Sequence, residues 1–257
     1  MPPALHPSVL DELRARIARI EHAGRPTHAV LPFGVPAIDR HLPQGGLALG
    51  AVHQVTDTPH AAAGPLFIGG ILARLDGSVL WCSRGQDLFA PSLACVGLHP
   101  DRVIYAEPDD DPGVLLCLEE GLRQPGLAAV VGEVARLPMT ASRRLQLAAE
   151  ASGVTAFILR RWRLAGASRD GHLPDAVEFA QPSAAVTSWR ISAAPSVPLS
   201  VPGLGRARWQ VELVRSRGGG TATWDMEACD AEGRLALSAE LGDRSATSPV
   251  GWQRAIA

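Results

Sequence analysis

The chain has 257 residues, of which 46% are hydrophobic and only 5% aromatic, and its formal net charge is −2. This length suits one α/β domain of about 200 residues with short flanking segments and an aliphatic core. The near-neutral charge argues against a globally basic nucleic-acid binder, although it leaves room for a local basic face.

All basic residues are arginine, because lysine does not occur in the chain. The sequence therefore excludes a phosphate-loop lysine, a Schiff-base lysine and a Ser-Lys dyad. No run approaches 18 apolar residues and no stretch has the pattern of a signal peptide, so we expect neither a membrane span nor a secretory leader. The four scattered cysteines form no CxxC motif, and we expect reduced thiols in a cytoplasmic protein.

The first predicted element is an amphipathic helix over residues 7–22, with Ser8 as its N-cap. Its apolar stripe includes Leu10, Leu13 and Ile17. The stripe must be buried either against the rest of the chain or against a partner. We assign residues 1–26 to this N-terminal segment.

From residue 30 onward, strands and helices alternate. The predicted strands are residues 31–33, 51–55, 79–82, 103–106, 128–132 and 154–159, and the predicted helices are residues 35–42, 61–75, 88–96, 113–123 and 140–151. Short apolar strands that alternate with helices predict a parallel, doubly wound sheet.

The pattern changes after residue 159. Residues 160–182 are polar and rich in glycine and proline, which predicts a surface loop. Three antiparallel edge strands are predicted at residues 186–193, 208–214 and 221–227. We therefore predict a core domain over residues 27–227 and a loosely held C-terminal tail over residues 228–257.

A polar loop follows the strand at residues 51–55 and precedes an apolar helix. Strand, polar loop and helix start form the layout of a phosphate-binding loop, whose working form is GxxxxGK[ST]. Here the loop contains an aspartate that would repel phosphate and a proline that removes a backbone donor. We predict a degenerate nucleotide loop made by Asp57, Thr58, Pro59, His60 and Gly64. The alternative is an ordinary strand-loop-helix unit of an α/β protein.

Three long stretches carry a family resemblance: FGVPAIDRHLPQGGLALGAVHQV at 33–55, VLWCSRGQDLFAPSLACVGLHPDRVIYAEP at 79–108, and AAVVGEVARLPMTASRRLQLAAEASGVTAFILR at 128–160. The later segments WRIS at 189–192 and WQVELVRSRGG at 209–219 also fit. With these motifs the chain resembles the RecA-like recombinase core and, within it, the ImuA family. The resemblance implies an α/β fold with a mostly parallel, doubly wound sheet, antiparallel edge strands and an N-terminal helix.

The chain departs from active recombinases at their catalytic positions. Where the resemblance places the catalytic glutamate, the chain has Ser83, Arg84 and Gly85. At the Walker B position it has Gly132 followed by Glu133, a carboxylate that either contacts a metal or caps a local group. We therefore expect no catalytic residues, no metal and no cofactor, and hence no enzymatic activity.

Other acidic residues and histidines give no metal motif. Asp109, Asp110 and Asp111 precede a predicted helix, whose positive N-terminal end they are expected to cap. His53 and His60 have no partner at metal-ligand spacing.

Arginines near two strand ends form the candidate DNA-contact surface. They are Arg143 and Arg144 in a helix, and Arg160, Arg161 and Arg163 with the interleaved Trp162. The resemblance implies that loops at these strand ends contact single-stranded DNA, and arginine beside an aromatic suits phosphate contact with base stacking. The alternative is that these arginines are ordinary surface cations.

The resemblance implies a non-enzymatic adaptor in SOS-induced translesion DNA synthesis and mutagenesis. Its expected partners are the ImuB-type polymerase-like protein and an error-prone replicative polymerase subunit, with RecA and single-stranded DNA as further candidates. Apolar residues outside the predicted sheet are the candidate partner-binding residues: Leu10, Leu13, Ile17, Leu235, Leu237 and Trp252. Two alternatives remain open, a SulA-type cell division inhibitor and a DNA-dependent ATPase with an atypical site.

Overall fold

A computed structural model describes residues 29–57, 62–85, 88–161, 182–196 and 206–237. Several predicted features lie outside these ranges, including the N-terminal helix and most of the loop at 160–182. The candidate site residues that lie outside them are Leu10, Leu13, Ile17, Thr58, Pro59, His60, Trp162, Arg163 and Trp252.

The described residues form strands joined by short helices. The strands are β1 (Val30–Leu31), β2 (Leu47–Ala48), β3 (Val52–Asp57), β4 (Ser78–Cys82), β5 (Val103–Ala106), β6 (Leu127–Val134), β7 (Thr155–Arg160), β8 (Thr187–Ala194), β9 (Arg208–Ser216), β10 (Ala222–Glu227) and β11 (Ala236–Leu237). The helices are α1 (Pro36–Asp39), α2 (Ala63–Ala73), α3 (Ala90–Ala94), α4 (Asp111–Leu122) and α5 (Met139–Ser152), with 3-10 turns at Pro43–Gly45 and Pro100–Arg102.

Within the described ranges, nine strands form one sheet in the order β11-β10-β9-β8-β3-β7-β6-β4-β5. The six strands from β8 to β5 run parallel to one another, whereas β9, β10 and β11 add antiparallel pairings beyond β8. β1 and β2 form a separate antiparallel pair. The predicted α/β fold, a mostly parallel sheet with antiparallel edge strands, is confirmed.

Two hydrophobic cores lie on opposite faces of the parallel part. On one face, α2 and α3 pack against residues such as Val55, Trp81 and Trp189. On the other, α4 and α5 cover residues that include Val130 and Ile158. Successive strand residues point to opposite faces, so strands covered on both sides must be apolar at nearly every position.

The antiparallel part has one covered face. Along β9, Trp209, Val211 and Leu213 are buried in the α2 core, whereas Gln210 between them is exposed. This alternation is typical of an antiparallel sheet with one solvated side. Two differently built parts of the sheet therefore meet at β8, which pairs in parallel with β3 and antiparallel with β9.

Two adjacent glycines in α2, Gly69 and Gly70, leave room for side chains of two other segments to pack closely against the helix. A Cβ at Gly69 would lie 3.0 Å from Cδ2 of Leu93, and a Cβ at Gly70 would overlap Sγ of Cys229. Glycine costs helix stability, and close packing explains its presence here. Leu235 is only 8% exposed and belongs to the same core. The packed core thus continues beyond Glu227, where the sequence placed its end.

No helix among the described residues is long and apolar enough to cross a bilayer.

Candidate functional site

The carboxyl ends of β3, β7, β6 and β4 lie side by side at one edge of the sheet. The backbone register pairs Thr56 with Arg160, Arg160 with Val134, and Gly132 with Cys82. Open α/β sheets bind their ligands at this edge. We call it the carboxyl edge, and it contains most of the described candidate site residues.

The degenerate loop starts at the carboxyl end of β3. The spacing of GxxxxGK[ST] puts Asp57 at the first glycine, Ala63 at the lysine and Gly64 at the serine or threonine. Asp57 is 3% exposed, and a Cβ at Gly64 would lie 3.0 Å from its Cγ and Oδ2. The carboxylate of Asp57 therefore lies against the first turn of α2, where a working loop holds a phosphate.

Glu133, at the Walker B-like position, uses both carboxylate oxygens within the protein. The indole Nε1 of Trp81 donates to Oε1 at 2.8 Å, and Nη1 of Arg161 donates to Oε2 at 2.8 Å. The side chain of Glu133 is 3% exposed, and that of Arg161 is 14% exposed. Glu133 thus ties the ends of β4, β6 and β7 together, and its oxygens are not presented to a metal.

Gly132 has a packing role beside this carboxylate. A Cβ at this position would overlap the side chain of Leu118 on α4. The absence of a Walker B aspartate side chain therefore allows α4 to approach β6 closely.

A second carboxylate, Asp111, connects three segments of the carboxyl edge. Its Oδ1 accepts from Nη1 of Arg84 at 3.0 Å, while Oδ2 accepts from the backbone N–H groups of Ala135 and Arg136 at 3.0 and 3.1 Å. Arg84 lies in the segment where the sequence resemblance places the catalytic glutamate of active recombinases. The chain therefore has an internal ion pair in that segment.

The neighbouring Asp110 is the N-cap of α4, and its side chain accepts from the backbone N–H of Gly113 at 2.8 Å. The predicted capping by the acidic run is confirmed for this residue. Sequence reasoning missed the bridging role of Asp111, because its partners are more than 20 residues away and no spacing rule connects them.

His53 lies away from the carboxyl edge, inside the sheet, and is fully buried. Its Nε2 donates to the Ala48 carbonyl at 2.7 Å, so Nδ1 accepts from the Thr187 hydroxyl at 2.8 Å. That hydroxyl in turn accepts from Nε1 of Trp189 at 2.7 Å. Burial lowers the pKa of His53 to about 4, which keeps the imidazole neutral. This histidine is a core residue with satisfied hydrogen bonds.

No group of three or more His, Cys, Asp or Glu side chains within the described ranges could hold a metal ion. All four cysteines are described, and all are free thiols. Burial raises the pKa of Cys82 and of Cys229 to about 12, so neither carries the thiolate that nucleophilic chemistry requires.

The structure does not bring the described candidate DNA-contact arginines into one exposed patch. Arg160 is only 2% exposed and donates to the Ala135 carbonyl at 3.2 Å, because its place in β7 directs it toward the α4 and α5 face. Arg161 is held by Glu133, and Arg144 pairs with Glu119 on α4. Arg143, on α5, is exposed.

The two candidate partner-binding residues that the structure describes differ in their exposure to solvent. Leu235 lies in the core at 8% exposure, so a partner could reach it only by displacing it, whereas Leu237 on β11 is 47% exposed. The sequence analysis assigned both residues to a loosely held tail because the hydrophobic periodicity of residues 228–257 is weak.

Comparisons with known proteins agree with this architecture. No family model matches the chain. The protein named ImuA from two strains of Caulobacter vibrioides is 40% identical over 221 residues, which cover 82% of this chain and 88% of that protein. The crystal structure of the RadB recombinase superposes with a TM-score of 0.51 and 17% identity, over 80% of this chain and 98% of RadB. RadB shows the fold alone, namely a RecA-like core. On the identity to the Caulobacter proteins, the chain belongs to the ImuA family.

Proposed function

We propose that this protein is a non-catalytic accessory protein of SOS-induced translesion DNA synthesis. It keeps a RecA-like core and acts by binding other proteins of the mutagenic polymerase assembly in the cytoplasm. The proposal rests on one observation at the carboxyl edge. There, Asp57 lies against the helix start that would bind a phosphate, and Glu133, which would bind the metal, is hydrogen-bonded to Trp81 and Arg161.

The charge of the degenerate loop supports this proposal. A phosphate-binding loop neutralises its ligand with lysine and with backbone N–H groups. This chain has no lysine, and Asp57 places a carboxylate against the first turn of α2. Arginine does not replace a compact ammonium between two phosphoryl groups without cost.

The hydrogen bonds that Glu133 makes within the protein also support the proposal. A Walker B carboxylate must be open to Mg²⁺ and its waters. Here an indole N–H and a guanidinium take up both oxygens, in a setting from which water is nearly excluded. Freeing Glu133 for a metal would leave Trp81 without an acceptor and Arg161 without a counter-ion, which is costly in a buried site.

A RecA-like core without this chemistry still offers surfaces for binding, since fold and activity are separable. The expected partners are an ImuB-type polymerase-like protein and an error-prone replicative polymerase subunit. RecA and single-stranded DNA are further candidates, with Arg143 and Arg144 as the exposed members of the predicted DNA-contact set among the described residues.

Nucleotide binding tests the non-catalytic part of the proposal. Titration of the full-length protein with ATP and Mg²⁺ in a calorimeter should give no binding heat. Phosphate release should stay at background with and without a single-stranded oligonucleotide, while an active recombinase in parallel serves as the positive control. Magnesium-dependent turnover by the pure protein would contradict the proposal and favour the atypical ATPase.

Partner capture tests the adaptor part. Immobilised full-length protein should retain the purified ImuB-type protein and should not retain a tubulin-like division GTPase. The opposite result would favour the SulA-type alternative. A mobility-shift assay with a single-stranded oligonucleotide at two salt concentrations tests direct DNA contact, because phosphate contacts weaken as salt rises.

A further inference from the structure

Two cysteines share the hydrophobic core between α4 and the sheet. Cys82 is the last residue of β4 and is fully buried. Cys117 lies on α4, packs against the same core and is only partly buried, so solvent reaches its side chain. One thiol of the pair is therefore enclosed by protein and the other is accessible.

The position of α4 on β4 places the two thiols side by side. A Cβ at Gly121 of α4 would lie 2.7 Å from Cδ2 of Leu80 on β4, which fixes the register of helix and strand. Cys82 comes two residues after Leu80 and points to the same face, about 7 Å further along the strand. Cys117 comes four residues before Gly121, about 6 Å back along the same side of the helix. Because a helix that connects parallel strands runs opposite to them, the two steps lead to the same place.

Two glycines bring α4 close to the sheet at this level. A Cβ at Gly121 would also lie 2.8 Å from Cγ1 of Val130, and a Cβ at Gly132 would overlap Leu118. A disulfide requires the two Cβ atoms to lie about 3.5–4.5 Å apart, so a close approach of helix and strand is a condition for it. The glycines provide that approach.

The two thiols also interact electrostatically. Burial is the main cause that raises the pKa of Cys82 to about 12, and the charge and hydrogen bonding of the neighbouring Cys117 raise it further. Cys82 therefore stays protonated and inert while Cys117 is reduced. Since the two sulfur atoms are neighbours, Cys82 can react at a high effective concentration once Cys117 has been activated.

We propose that Cys82 and Cys117 are a peroxide-sensitive pair, in which oxidation joins β4 to α4 through a disulfide. The accessible Cys117 thiolate attacks one oxygen of hydrogen peroxide, the O–O bond breaks, and the second oxygen leaves as hydroxide, which takes up a proton to form water. Cys117 is then a sulfenic acid. The Cys82 sulfur attacks the Cys117 sulfur, so the S–S bond forms, the S–O bond breaks, and the hydroxyl group leaves with the Cys82 proton as a second water. Two thiols are oxidised and one peroxide is reduced.

The disulfide holds α4 on the sheet beside the carboxyl edge. Cys82 ends β4 just before Arg84, and the first residue of α4 is Asp111, which binds Arg84 and the backbone that follows β6. Oxidation thus fixes a helix whose first turn connects three segments of that edge, and a reducing thiol reverses the change. The inference does not depend on the proposed function.

Peroxide treatment of the full-length protein tests the pair. Hydrogen peroxide in slight excess should convert the wild type, over minutes to hours, to a form that has lost two hydrogen atoms by intact-mass spectrometry. Peptide mapping without reductant should find residues 82 and 117 in one cross-linked fragment, and dithiothreitol should restore the original mass. Hydrogen exchange of the α4 amides should be slower in the oxidised protein than in the reduced one, because the bond opposes opening of the helix.

Variants locate the bond. Cys117→Ser and Cys82→Ala should each abolish the intramolecular disulfide. Cys95→Ser is the matched control, since Cys95 is an exposed cysteine at the end of α3, and it should leave the rate and yield of the bond unchanged. Thermal unfolding shows whether Cys82→Ala is folded, and Cys117→Ser, at the more accessible position, carries the test if it is not.

Several outcomes would overturn the proposal. They are a cross-link that contains Cys95 or Cys229, oxidation of Cys117 to sulfinic acid without a disulfide, and a loss of two hydrogen atoms that persists in Cys117→Ser. Equal hydrogen exchange of α4 in the oxidised and reduced proteins would show that the helix is not held, which also overturns it.

Discussion

Two arginine-glutamate pairs of nearly equal length lie in opposite surroundings. At the carboxyl edge of the parallel part, Arg161 and Glu133 are 2.8 Å apart, with side chains 14% and 3% exposed. On the solvated face of the antiparallel part, Arg190 and Glu212 are 2.7 Å apart, with side chains 46% and 32% exposed. The two pairs share their chemistry and their geometry, so any difference in their effect on stability comes from the surroundings.

The difference in burial between the two pairs indicates which interactions stabilise each part of the sheet. A buried pair interacts strongly, but each charge has lost its water, so removing one partner leaves an uncompensated charge. An exposed pair keeps much of its hydration and contributes little. The carboxyl edge therefore depends on its polar contacts, whereas the antiparallel part depends on the apolar side chains beneath it.

The largest expected effect comes from breaking the buried pair. Glu133→Ala should lower the free energy of unfolding by about 3–5 kcal/mol, because Arg161 loses its counter-ion and Trp81 loses its acceptor. Urea unfolding measures this loss. Glu133→Gln should cost less, since its amide oxygen can still accept from Trp81. A loss below about 1 kcal/mol for Glu133→Ala would show that the two pairs do not differ.

An intermediate effect is expected from acid at the junction of the two parts. His53 on β3 and Thr187 on β8 join them through the buried hydrogen bonds described above. The pKa of His53 is about 4 in the folded protein, below its ordinary value of 6.5, so between these pH values the unfolded chain binds the proton preferentially. Stability is therefore full above pH 6.5 and falls as the pH drops toward 4, by about 3 kcal/mol from this group.

Urea unfolding between pH 7 and pH 4 measures this dependence. The variant His53→Gln removes the titrating ring, so its stability should fall less steeply over this range, while the carboxylates shared by both proteins cancel in the difference. An identical pH dependence in wild type and variant would exclude His53 as the source.

The smallest effect is expected from the exposed pair. A double-mutant cycle with Arg190→Ala and Glu212→Ala should give a coupling energy below about 1 kcal/mol that shrinks as the salt concentration rises. A coupling as large as that of Glu133 with Arg161, or one insensitive to salt, would contradict the comparison on which these predictions rest.

The sequence predicted most of the fold because periodicity reports burial directly. The strand predicted at residues 103–106 is observed as Val103–Ala106, and the one predicted at 154–159 is observed as Thr155–Arg160. Differences of one or two residues arise at strand ends, where the final paired residue depends on a neighbouring strand. The apolar runs buried on both faces gave the strongest signal.

The site was less predictable because it depends on contacts that are distant in sequence. Trp81 and Glu133 lie on two strands and Arg161 directly follows a third, so no local pattern indicates that Glu133 binds the other two side chains. Arg160 and Arg161 look alike in the sequence as adjacent cations, yet Arg160 is buried as the last residue of β7, whereas Arg161, directly after the strand, pairs with Glu133. The glycine pair in α2 indicates close packing, but the sequence does not show that Cys229 is the residue packed against it.

The contact between α2 and the segment after β10 has a practical consequence for anyone who shortens this protein. A chain that stops at Glu227 loses Cys229 and Leu235, so Gly70 faces water and the apolar groove beneath the segment is left uncovered. Such a fragment should aggregate during expression. The minimal stable version should run to at least Leu237, which also preserves β11 as the last strand of the sheet.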